Sequence, residues 1–131
     1  MTDTSTRGGG QIVAIVDDDE AIRPALARLI RTFGYQARTF ASAEALLVAV
    51  ADLRADCVLT DIQMPGMNGL DLVKALRGRF PRLPIIVMTA YPSLANRELA
   101  LSFGAIEYMT KPLDDARLEA CLLRTIGNPV P

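Results

Sequence analysis

With 131 residues, 50% of them hydrophobic, the chain suits one domain built around one core. A formal charge of −1 and scattered Lys and Arg residues give no basic stripe, so direct contact with nucleic acid is not expected. No apolar run approaches the roughly eighteen residues of a membrane-crossing helix, and no apolar export signal follows Met1. A cytoplasmic protein with no membrane contact is therefore expected.

Residues 1–10 are polar and glycine-rich and read as a disordered tail. The continuous apolar run Ile12 to Val16 predicts a strand buried on both faces, as in a parallel sheet. Ile22, Leu26, Leu29, Ile30 and Phe33 then mark the stripe of an amphipathic helix, with Pro24 in its first turn, where proline is tolerated. Gln36 to Phe40 alternates polar and apolar residues and predicts a less buried strand near a sheet edge. A second helix opens at Ser42, which can cap it, and carries Leu46, Leu47 and Val50. The apolar runs at Cys57 to Leu59 and Ile85 to Met88 predict two further central strands, with a helix over Leu70 to Leu76 between them. After a fourth helix over Ser93 to Phe103, Ile106 to Met109 predicts a second edge-like strand. A last helix begins at Asp114 or Asp115 and reaches Thr125, stopped by Gly127 and Pro129. Cys57 and Cys121 lack metal-ligand spacing and read as small core residues.

Five strands alternating with five helices imply a doubly wound α/β domain over residues 11–126, with helices on both faces, strand order 2-1-3-4-5, and a C-terminal tail at 127–131. In such a sheet, ligands bind beyond the carboxyl ends of the strands. Asp17, Asp18 and Asp19 follow the first strand there, Thr60 and Asp61 end the third, Thr89 ends the fourth, and Tyr108 and Thr110 lead to Lys111 after the fifth. Each residue alone has a plain structural explanation: Asp19 and Glu20 as helix caps, Thr89 as a turn hydroxyl, Tyr108 as packing, Lys111 as a surface cation. Falling together at four strand ends, they point to a shared site. Gathered carboxylates repel one another's charge, so a cation is needed, and magnesium suits an oxygen-only ligand set.

Four segments carry a family resemblance: IVDDDE at 15–20, LTDIQMPGMNGLDL at 59–72, IIVMTAY at 85–91 and GAIEYMTKPLD at 104–114. With them, residues 11–126 resemble the response-regulator receiver family of two-component signalling. The resemblance implies that Asp61 accepts a phosphoryl group from a phosphohistidine on a sensor histidine kinase or phosphotransfer protein. It implies magnesium bound by Asp18, Asp61 and the Gln63 backbone carbonyl, with Asp17 acting through water, and phosphoryl oxygens met by Lys111 and Thr89. It further implies a Thr89/Tyr108 switch that alters an output face formed by the fourth helix, fifth strand and fifth helix, and a cis Lys111–Pro112 peptide, while leaving open whether activation forms a homodimer. Gln63 and Tyr91 occupy positions that tune the lifetime of the phosphoryl group. The domain is then a phosphoacceptor catalysing its own phosphorylation and dephosphorylation rather than an enzyme with a separate substrate. Competing readings are a non-phosphorylated interaction module on the same fold, a phosphatase using Asp17 or Asp19, and a flavin-binding module. The first is opposed by the complete set of acids and the lysine, the second by the absence of room for a cap, and the third by the scarcity of aromatic residues.

Overall fold

A computed structural model of the protein describes residues 10–130, so all but Gly10 of the expected N-terminal tail lies outside the described residues. In chain order the elements are β1 (Ile12–Val16), α1 (Ile22–Thr32), β2 (Gln36–Phe40), α2 (Ala43–Leu53), β3 (Cys57–Asp61), α3 (Gly69–Arg79), β4 (Ile85–Thr89), α4 (Leu94–Phe103), β5 (Glu107–Thr110) and α5 (Asp115–Ile126). The strands form one parallel sheet in the order β2-β1-β3-β4-β5.

Every residue of β1, β3 and β4 is buried, because helices cover both faces and alternate side chains enter two separate cores. On one face Ala14, Val16, Val58 and Val87 pack with Leu46 of α2 and Leu72 of α3. On the other, Ile15, Leu59 and Met88 pack with Ile30 of α1 and Leu122 of α5. Cys57 and Cys121 are buried free thiols in this second core, in line with their sequence reading, and burial pushes both thiols up in pKa. The alternating strands β2 and β5 are indeed the edges, each only partly buried.

Helix starts follow local chemistry: the side chains of Ser42, Asn68, Ser93 and Asp114 accept hydrogen bonds from the first turns of α2, α3, α4 and α5. At α1 the role falls to Asp19, whose Oδ1 accepts from the N–H groups of Ala21 and Ile22 at 2.8 and 3.0 Å. Several boundaries differ from expectation by a residue or more, and two of the differences have a clear physical reason. The last strand begins at Glu107 rather than Ile106, whose side chain is 43% exposed. Helix α3 continues to Arg79, since the Arg77 head donates to the carbonyls of Phe80, Pro81 and Gly104 and so satisfies backbone acceptors around its end.

Beyond α5 the chain turns back along the amino ends of the strands. Tyr35 Oη donates to Gly127 O at 2.7 Å, Gln11 Nε2 donates to Ile126 O and Asn128 O at 3.1 and 2.8 Å, and Val130 N donates to Gln11 Oε1 at 3.1 Å.

Candidate functional site

Parallel register brings the strand ends level. Val16 pairs with Thr60, Asp61 with Met88, and Thr89 with Thr110, so the residues at the ends of β1, β3, β4 and β5 share one rim. Asp17 continues β1, donating its N–H to Phe40 O at 3.1 Å, and Lys111 continues β5, donating its N–H to Thr89 O at 2.8 Å. The Lys111–Pro112 peptide is cis.

The side chains of Asp17, Asp18, Asp61 and Lys111 converge at this rim. Asp17, Asp18 and Asp61 each offer one carboxylate oxygen such that all three lie within 4.8 Å of one another. Lys111 Nζ stands 2.8 Å from Asp17 Oδ2 and 3.3 Å from Asp61 Oδ2. Asp17 is fully buried and its second oxygen accepts from Asp19 N at 2.9 Å, so both of its oxygens are engaged by the protein. Asp18 is exposed and marks the side open to solvent.

Asp61 differs from its neighbours. Its Oδ1 is buried and has no hydrogen-bond partner among the described residues. Burial raises the Asp61 pKa, Lys111 opposes that, and the charge of Asp17 adds to it, leaving the carboxyl above its ordinary value. Three carboxylates against one ammonium leave two negative charges uncompensated. A buried acceptor without a donor and an excess of two negative charges, in a set of oxygen ligands only, fit a small divalent cation such as magnesium.

At the next strand end, Thr89 is fully buried. Its hydroxyl donates to Gln63 Oε1 at 2.8 Å and accepts from Tyr91 N at 2.9 Å. Tyr108, paired in register with Val87, is buried in the first core, and its hydroxyl accepts from Ser93 N at 3.1 Å, tying β5 to the start of α4. A shallow cleft lined by Leu94 and Arg97 of α4, Tyr108 and Thr110 of β5 and Arg117 of α5 runs across this side, where Arg117 also pairs with Glu107.

Sequence reading missed the supports of the loop after Asp61. Glu44, in the first turn of α2, accepts from Met67 N at 2.9 Å, and its carboxylate lies where a Cβ on Gly66 would stand, 2.7 Å away. Gly66 has φ +77, a conformation that suits glycine. A Cβ on Gly69 would come within 2.1 Å of Asp61 O, so only glycine lets α3 start against the end of β3. The glycines were visible in the sequence as turn signals, whereas the partner of Glu44 had no local signal.

Residues 13–123 match the response regulator receiver domain model. NtrC of Salmonella typhimurium, a DNA-binding transcriptional regulator, is 40% identical over 117 residues, which are 89% of this chain and 25% of that protein. The transcriptional regulatory protein FixJ of Azorhizobium caulinodans is 36% identical over 116 residues, 88% of this chain and 55% of FixJ. The chain thus spans a quarter to just over half of these relatives. Among solved structures, FixJ-N superposes with a TM-score of 0.81 at 30% identity, covering 100% of this chain and 99% of that one. The chemotaxis protein CheY4 of Vibrio cholerae gives 0.82 at 28% identity, covering 88% and 98%. Fold, rim and family model agree, and the chain belongs to the response regulator receiver domains of two-component systems.

Proposed function

We propose that Asp61 is the phosphoacceptor, taking a phosphoryl group from a phosphohistidine on a sensor histidine kinase or phosphotransfer protein. The observation that carries this reading is Asp61 itself: one oxygen is paired with Lys111, and the other is buried without a donor. An Asp61 oxygen forms the new P–O bond as the donor's P–N bond breaks, giving an aspartyl phosphate. Asp18, Asp61 and the Gln63 backbone carbonyl would hold magnesium, with Asp17 acting through water because Lys111 and Asp19 already engage its oxygens. Bound there, the ion would neutralise charge on the transferring group. Lys111 supplies a fixed positive charge for one phosphoryl oxygen and Thr89 a hydroxyl donor for another. Asp19 is spent capping α1, which argues against a phosphatase role for it.

In this reading Thr89 turns toward the phosphoryl group and Tyr108 follows into the space released, changing the face formed by α4, β5 and α5. The cleft with Arg97 and Arg117, and the exposed apolar residues Tyr91 and Leu94 nearby, support that face as the one an output protein or a second activated copy contacts. Lys and Arg are scattered rather than striped, which favours protein over nucleic-acid partners, and no helix among the described residues is long and apolar enough to cross a membrane. A cytoplasmic setting is part of the proposal, in keeping with the receiver family. Residues 11–126 form the proposed receiver, flanked by residues 1–10 and 127–131. The test is incubation with magnesium and acetyl phosphate followed by intact-mass measurement. One added phosphoryl group is expected, absent from Asp61→Asn and absent when magnesium is chelated; labelling that survives Asp61→Asn overturns the assignment.

A further inference from the structure

Thr89 has a single hydroxyl proton, and Gln63 already holds it. The proton lies in the 2.8 Å bond to Gln63 Oε1, while the hydroxyl oxygen is fixed from the other side by Tyr91 N. A phosphoryl oxygen on Asp61 would need the same proton. One O–H serves one acceptor at full strength, so the two bonds exclude each other. Thr89 is fully buried, while Gln63 is half-buried, so the bond sits at the edge of the core.

We propose that the Gln63 side chain is a brake on Thr89, its amide oxygen retaining the hydroxyl proton in the resting receiver so that switching must first break this bond. The inference rests on Asp61 being the phosphoacceptor. It divides residue 63 into two functions, a backbone carbonyl that would help hold magnesium and a side chain that restrains the switch. Gln63 acts through Thr89 and is a positioning residue. A receiver whose Thr89 is held for most of the time binds a phosphoryl group more weakly, in proportion to the fraction left free, so removing the amide should strengthen binding.

Equilibrium binding of beryllofluoride, a tetrahedral phosphoryl mimic, to the 131-residue chain in magnesium reads this directly. Gln63→Ala is expected to bind it about fivefold more tightly, the worth of one ordinary hydrogen bond. Gln63→Glu keeps an acceptor oxygen at the same reach and should show no gain. In a Thr89→Val background, Gln63→Ala should change nothing, because the pair no longer couples. Unchanged or weaker binding by Gln63→Ala, or a gain that persists in Thr89→Val, overturns the brake. Asp61→Asn separates the two ideas: loss of binding there with no effect at Gln63 leaves the acceptor assignment standing and removes only the brake, whereas full binding by Asp61→Asn removes the acceptor assignment.

Discussion

Lys111 answers to two carboxylates at once, and the balance among the three groups governs this rim more than any single distance. Burial alone would push the lysine down, but its hydrogen bond to Asp17 and the charges of Asp61 and Asp17 outweigh it and raise its pKa. Such a raised value adds stability in full below the ordinary lysine range of about 10.4, and the contribution disappears as pH rises through the folded value. Lys111→Ala leaves two carboxylates without their cation. It is expected to cost on the order of 2 kcal/mol in metal-free urea unfolding at neutral pH, discounted from a fully buried pair. Asp61 runs the other way. Its raised pKa means that the ionised carboxylate costs stability above the ordinary aspartate value of about 3.9, and the cost fades as pH falls toward that value. Metal-free Asp61→Asn is therefore expected to unfold at a higher urea midpoint than its parent at neutral pH, the gap closing toward acid. Magnesium should narrow or reverse the gap, since only the parent keeps the full acidic set. Equal midpoints throughout would mean that Lys111 fully compensates Asp61.

The segment between β3 and α3 shows how an element can depend on a distant one. Glu44 of α2 holds the N–H of Met67, and the hydrogen bonds around it lower its pKa below the ordinary glutamate range. Glu44→Ala is expected to raise amide hydrogen exchange at Met67 and to slow phosphorylation by acetyl phosphate several-fold, with little change in the unfolding midpoint, because the carboxylate is exposed. Exchange at Met67 as in the parent would show that the loop holds itself. Residues 12–16 and 85–88 were legible as central strands because burial on both faces demands unbroken apolar runs. The rim was legible because a polar residue ending such a run must sit at the strand's carboxyl end. Ile106 misled for the same reason, as an apolar letter with an exposed side chain. Arg77 and Arg79 concealed the last turn of α3, since polar residues break the stripe; the Arg77 head nonetheless satisfies the acceptors around the helix end, and the Arg79 head reaches Leu47 O of α2. The bonds from Glu44 to Met67 and from Gln63 to Thr89 span 23 and 26 residues, a separation at which no periodicity speaks.

At the scale of the molecule, a parallel sheet divides its two edges by task. Carboxyl ends carry acids, a hydroxyl and an ammonium, while amino ends carry chain connections held by hydrogen bonds, such as Asp56 Oδ2 accepting from Ile12 N at 2.8 Å. The fold back of residues 127–130 onto Gln11 and Tyr35 belongs to the second edge. It sets Val130 beside Gly10, where a Cβ on the glycine would stand 2.8 Å from Val130 O. Start and finish of the described polypeptide are thus near neighbours, far from the acids. A circular permutant that links the two by a short Gly/Ser bridge and reopens between the exposed residues Pro81 and Arg82 is expected to fold, to melt somewhat lower and, under the proposed assignment, to take a phosphoryl group at Asp61 as the parent does. A folded but inert permutant would show that chain order itself shapes the rim. If it remains active, a sensor or tether could be spliced into that seam without touching the chemistry, because the molecule's threading and its reactivity occupy opposite poles.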